Sequence, residues 1–226
     1  MAARQDRLGV VVLVHGLLRT HRSMRTAARA ARRRGYAVIN WHYASSRHGI
    51  SDHAAALDRE LGPTLAAAPG PVHFLTHSMG GIVVRAYLAS SSPPHVGRVV
   101  MLGPPNEGNE IAQHLRHNHV FRWLMGQSGQ ELGIGVESVP RRLPAVDFEL
   151  GVVAGARRRP ALFGAWIGTP NDGMVSVAAT RVAGMRDHVV IRGGHALLPA
   201  NPRALRQAFA FFETGRFDRT IPGVVA

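Results

Sequence analysis

A chain of 226 residues, 46% of them hydrophobic, suffices for one substantial core, and the absence of Cys excludes disulfides, thiolate metal sites and a Cys nucleophile. The formal charge is +13 and every one of the 27 basic residues is Arg, so the surface attracts anions. These Arg are scattered, with short clusters at 32–34 and 157–159, and lack the basic recognition helix or aromatic-interleaved strand of a nucleic-acid site.

The longest apolar run, Val10 to Val14, is too short for a transmembrane span or a secretory core, so a cytoplasmic location is expected. Leu8 to Val14 reads as a buried parallel strand opening into a His15-Gly16-Leu17 loop at the sheet's carboxyl edge. Ser23 to Arg34 places Met24, Ala27, Ala28 and Ala31 on one helical face, and Gly35 stops it. Tyr36 to Trp41 reads as a second buried strand and Ser51 to Ala68 as a helix with a Ser cap. Val72 to Leu75 is again strand-like, and helical spacing resumes from Gly81 through Tyr87. Ser78 falls at the bend between them. Such a bend exposes a hydroxyl, and the helix beginning there aims unpaired N–H groups, nearest that of Met79, at the same point. A Ser is equally a favoured helix cap, so the bend alone does not decide its role.

His95 to Leu102 forms the next strand, running into Gly103-Pro104-Pro105-Asn106-Glu107-Gly108. The stretch from Glu110 to Pro144 breaks the alternation with short helices at Ile111 to His117 and Val120 to Met125 and scattered Gly, and about 107–145 is expected to be a small cap or lid. His114, His117 and His119 lack a carboxylate at ligand spacing, so no metal site is assigned. Phe148 to Ala154 returns to a strand, Ala161 to Ile167 is a further strand or hairpin arm, and Asn171-Asp172-Gly173-Met174-Val175 is a turn holding a carboxylate. The last strand, His188 to Ile191, leads into Arg192-Gly193-Gly194-His195-Ala196-Leu197, where two Gly free the imidazole of His195, and then into a helix from Asn201 to Thr214.

The run Thr76-His77-Ser78-Met79-Gly80 resembles the G-x-S-x-G nucleophile elbow of the α/β-hydrolase family, particularly small bacterial lipases and esterases. It departs at Thr76, whose β-branched bulk replaces the usual Gly and is expected to tighten the elbow. His15-Gly16-Leu17 is similar to the family's oxyanion loop, with Leu17 N–H as donor and His15 shaping the loop. Leu102 to Gly108 resembles its L-G-x-P-N-x-G pocket wall, Asn171 to Val175 its acid loop, and Gly194 to Leu197 its His loop.

The resemblance covers about Leu8 to Thr214 and implies one domain over 1–226: a minimal α/β-hydrolase fold, mostly parallel, with about six strands and helices on both faces. On this resemblance the family's first two strands are expected to be absent. It further implies carboxylic ester hydrolysis through an acyl-enzyme, with Ser78 as nucleophile, His195 as base, Asp172 as acid and the Leu17 and Met79 N–H groups holding the oxyanion. Asp147, Asp187 and Glu149 are rival acids. Leu18, Trp123, Leu124, Met125, Met174, Leu197 and Leu198 are expected to converge as an apolar acyl pocket for short- to medium-chain esters, small-molecule or lipid-like. No cofactor, obligate protein partner or nucleic acid is implied, beyond weak attraction to anionic surfaces. An acyltransferase with the same triad, an idle triad and a non-catalytic Arg-rich anion or nucleic-acid binder remain alternatives.

Overall fold

The computed structural model describes residues 8–157 and 166–225. Seven strands, β1 (Val10–Val14), β2 (Ala37–Trp41), β3 (Val72–His77), β4 (Val96–Leu102), β5 (Leu150–Ala156), β6 (Asp187–Arg192) and β7 (Val224–Val225), form one sheet in the order β2-β1-β3-β4-β5-β6-β7. All neighbours pair in parallel except β6 with β7. The antiparallel β7, only two residues long, lies beyond the expected strands.

Alternation along β1 shows how the sheet buries both faces. Val12 and Val14 enter a core with Phe74, Ile82, Val83 and Tyr87 on one side, whereas Val11 and Leu13 enter another with Ala27, Ala31, Leu75 and Phe209. Helices α2 (Ile50–Ala66) and α3 (Met79–Ser90) cover the first face. The second is covered by α1 (Arg25–Arg33) and α7 (Pro202–Thr214). The chain moves outward from β1 to β2 and then returns across β1 to β3, so strand order reverses between β1 and β3. Loops leaving their carboxyl ends diverge at such a point and open a crevice between them.

Two local expectations change. The strand at Tyr36 to Trp41 is not fully buried, because β2 is the sheet edge and only Trp41 of its residues is closed off. Ser51 does not cap α2: the helix begins at Ile50, with Asp52 Oδ2 accepting from Gly49 N at 3.0 Å and Glu131 Oε2 from Ile50 N at 2.7 Å. The expected strand or hairpin arm at Ala161 to Ile167 falls outside the described residues up to 165, and Trp166 and Ile167 belong to no strand.

Between β4 and β5 stand three short helices, α4 (Glu110–Leu115), α5 (His119–Gln130) and α6 (Val139–Arg142). Gly126 breaks α5 with φ +60°, and a Cβ there would lie 1.7 Å from the Ser46 carbonyl oxygen, so only Gly permits this approach. Ser128 Oγ also donates to His48 O at 2.6 Å, fixing α5 against the loop before α2. Among the described residues, no helix is long and apolar enough to cross a membrane.

Candidate active site

The site is built where β3 ends. Every residue of β3 is buried, and the chain turns at Ser78 with φ +54° and ψ −129° before α3 begins at Met79. A non-Gly residue in such a conformation stores on the order of 1–3 kcal/mol, which the surroundings must hold in place. Ser78 N donates to Leu102 O and Gly81 N to Ser78 O, both at 2.9 Å, clamping the turn from two sides. Gly80 lets it pack against the end of β1: a Cβ there would meet the Val14 and His15 carbonyl oxygens at 2.5 and 2.6 Å. Thr76 Oγ1 sits 3.2 Å from where a Cβ of Gly81 would be, so bulk at one residue is matched by its absence at the other.

Three side chains from three loops then meet in line. His195 Nε2 is 3.0 Å from Ser78 Oγ, and His195 Nδ1 is 2.7 Å from Asp172 Oδ2. A buried carboxylate can only accept, so Nδ1 carries the proton and Nε2 is left to accept from the Ser hydroxyl. The second Asp172 oxygen accepts from Met174 N at 2.9 Å and Val175 N at 2.8 Å, which fixes the carboxylate plane. His195 N also donates to Asp172 O at 3.0 Å, joining the two loops. Gly103, with φ +58°, backs the pair, since a Cβ there would lie 3.0 Å from Asp172 Oδ2 and 3.2 Å from His195 Nδ1. His77 Nε2 donates to the His195 carbonyl at 3.0 Å. Burial first, and the neighbouring His195 second, pull the His77 pKa well below the ordinary imidazole value, so it holds this contact as a neutral ring.

The loop after β1 lies across the elbow. His15 Nδ1 donates to Gly16 O at 2.9 Å, and Tyr43 Oη, stacked on the His15 ring, donates to His15 O at 2.7 Å. Burial lowers the His15 pKa to about 4, leaving it neutral. In a trans peptide the carbonyl and the N–H point in opposite directions, so holding Gly16 C=O sets the direction of Leu17 N–H. The Met79 side chain is fully buried in the core, so only its backbone belongs to the elbow.

Beside Ser78 opens a cleft of about 440 Å³ whose lining is mainly apolar. Leu18, Met125 and Met174 of the expected pocket residues line it, together with Leu17. The other expected members do not. Trp123 is 82% exposed and Leu124 44%, because α5 turns Phe121, Met125 and Gly129 inward instead. Leu197 is exposed, and Leu198 is fully buried beneath the Asp172–His195 contact, within the core. Ile111, Leu115, Leu132 and Asn109 line the cleft without having been anticipated. The i, i+4, i+8 spacing of Phe121, Met125 and Gly129 was a readable signal for the inward face. Asn109 caps α4 through Ala112 N and donates to Met174 O at 2.6 Å, tying the insertion to the Asp172 loop.

The rival acids lie at the amino end of the sheet. Asp187 accepts from Phe217 N and Arg219, Glu149 pairs with Arg98 and Arg186, and Asp147 lines a separate crevice with His73. His114 stacks on Trp166, His117 accepts from Arg116, and no cluster among the described residues could hold a metal ion.

The sequence model described as α/β-hydrolase fold matches residues 9–124. No curated protein sequence matches the chain. Among solved structures, the mature form of the Bacillus licheniformis lipase BlEst2 superposes with a TM-score of 0.64 at 18% identity, covering 92% of this chain and 91% of that one. The phospholipase PlaB from Legionella pneumophila gives 0.65 at 18%, covering 87% and 58%, and the metagenomic carboxyl esterase MGS0156 gives 0.65 at 20%, covering 84% and 65%. The chain thus spans less than two thirds of the length of the latter two, and at these identities the likeness is one of fold.

Proposed function

The chain belongs to the α/β-hydrolase fold family, and on that premise we propose that it is a carboxylic ester hydrolase working through a Ser78–His195–Asp172 triad. The observation that carries this reading is the continuous run from Asp172 through His195 to Ser78, at 2.7 and 3.0 Å, beside an apolar cleft. Ser78 Oγ attacks the ester carbonyl carbon while its proton passes to His195 Nε2, and Asp172 stabilises the imidazolium. The carbonyl electron pair moves onto oxygen, where Leu17 and Met79 N–H groups receive it. Collapse expels the alkoxide, which takes the proton from His195 and leaves the acyl group on Ser78. Water then attacks, giving its proton to His195, and the acid departs as Ser78 regains it.

The helices of 107–145 serve as the cap over this cleft, with Phe121 and Met125 holding the acyl chain. The mainly apolar lining of this cleft of about 440 Å³ supports an acyl-binding role, and short to medium acyl chains are the expected substrates. Fluorophosphonate labelling of Ser78, with turnover of a p-nitrophenyl ester series from acetate to palmitate, tests the reading. Labelling and a maximum below palmitate are expected. An unlabelled protein, or Ser78→Ala with unchanged turnover, overturns it.

A further inference from the structure

Large apolar side chains are left in water on the cleft lining and on the helix that contributes Phe121 and Met125 to it. Leu18 and Met174 line it and are 50% and 38% exposed. Leu197, 69% exposed, follows the lining residue Ala196. On α5, Val120, Trp123 and Leu124 stand at i, i+3 and i+4, one stripe of the helix turned away from the inward Phe121 and Met125. A Trp 82% exposed beside Val120 at 63% has no packing reason to be there.

The segments that carry these side chains are rich in Arg, and their nearest acids, Glu110 and Glu131, are engaged by Ser176 Oγ and Ile50 N. Residues 8–51, which carry the Leu17–Leu18 loop, hold eight Arg and no Asp or Glu. Residues 111–130, which carry α5, hold two Arg, three His and no acid, and residues 188–212, which carry Leu197, hold three Arg and no acid. Arg19, Arg22, Arg116, Arg122 and Arg192 are exposed, and among the described residues none of them pairs with a carboxylate. An exposed apolar stripe bearing Trp, on segments whose exposed Arg have no carboxylate partner, matches the boundary of an anionic bilayer, where the ring enters the headgroup layer and guanidinium groups meet phosphates.

We propose that the cleft rim, led by Trp123 on α5, docks this protein onto the surface of anionic phospholipid membranes, with the mouth of the cleft facing the lipid. The ridge is too short to span a bilayer and lies in its surface layer. Docking needs no chemistry at Ser78, so it stands apart from the hydrolase reading and is measured on the Ser78→Ala protein.

The test is sedimentation of the Ser78→Ala full chain with phosphatidylcholine vesicles with and without phosphatidylglycerol. Brominated acyl chains serve as quenchers of Trp fluorescence. Binding to the phosphatidylglycerol vesicles should fall at least tenfold as salt rises from about 0.05 M to about 0.5 M, and should be weak on phosphatidylcholine alone. Trp123→Ala should lower partitioning by about tenfold, and Arg116→Glu with Arg122→Glu by at least as much. Trp123→Phe should keep the binding but lose most of the quenching. The proposal is overturned by failure to sediment, by equal binding to neutral vesicles, or by binding that Trp123→Ala leaves unchanged. Concentration-dependent self-association that Trp123→Ala abolishes, without vesicle binding, would give the ridge to a second copy instead.

Discussion

Replacing Asp172 by Asn separates geometry from tautomer. Asp172 Oδ1 accepts from both Met174 N and Val175 N, at 2.9 and 2.8 Å. An Asn must keep its carbonyl oxygen there, since turning the amide would set NH₂ against two backbone donors at about 1–3 kcal/mol for each buried group left unpaired. The NH₂ is therefore forced toward His195 Nδ1, which lies 2.7 Å from the other oxygen in the native chain. Nδ1 then accepts, the proton moves to Nε2, and Nε2 can no longer take the Ser78 proton. The expected loss in kcat is about 10⁴-fold, roughly 5.5 kcal/mol. Unfolding stability should shift by no more than about 1 kcal/mol, because the side-chain volume and both backbone contacts survive. Steady-state hydrolysis of p-nitrophenyl butyrate, alongside urea unfolding, measures both. A loss of less than tenfold, or a collapse with Asp147→Asn instead, refutes the reasoning.

Tyr43→Phe removes the donor to His15 O and should cost about 1–3 kcal/mol in urea unfolding, with a fall in kcat of up to about a hundredfold at little change in KM as the Leu17 peptide loosens. Gly103→Ala, which drives a Cβ to within 3.0 Å of Asp172 Oδ2 and 2.9 Å of Leu198 Cδ1, should lower kcat at least tenfold while fluorophosphonate labelling slows in parallel. Asp187→Asn weakens the Arg219 pair and the Phe217 contact, so it should lower stability by about 1 kcal/mol and leave kcat within twofold. Acid should unfold the chain steeply. Burial lowers His15 and His73 to about 4 and His77 well below its ordinary value, so below pH 6.5 the unfolded chain binds protons that the folded one refuses. Stability is then full above about pH 6.5 and falls toward pH 4, each His adding up to about 1.4 kcal/mol per pH unit. Urea midpoints that stay flat from pH 7 to pH 5 would contradict this.

Much of the fold was legible because its signals are local. The β-branched run of β1 read as a buried parallel strand and the apolar runs of β3 and β4 as strands, and Gly35 marked a helix end through the chain's own stereochemistry. The Ser78 bend and the Gly193–Gly194 loop were recognisable because each follows a strand directly, and the Asp172 turn because its Asn-Asp-Gly signal is local. Their convergence on one point follows from parallel strands, which bring successive carboxyl-end loops to the same edge.

What local sequence left open depends on partners distant in the chain. The α2 terminus is satisfied by Glu131, 81 residues away, so Ser51 was a reasonable but wrong cap. The rotation of α5 is set by Gly126 resting on the Ser46 carbonyl and Ser128 bonding His48, and it decides that Phe121 enters the cleft while Trp123 meets water. Leu198 was misplaced because a short helical turn folds it under Gly103 rather than toward Ser78. The space beside Thr76 is left by Gly81, which lies on the helix across from it and has no side chain. The sequence by itself determined the order of strands and helices and the three loops that carry Ser78, Asp172 and His195, since backbone preference and hydrophobic period act over a few residues. Only the tertiary structure decided which side chains wall the cleft and which face solvent, since close packing fixes helix rotation through contacts that neighbouring sequence does not encode.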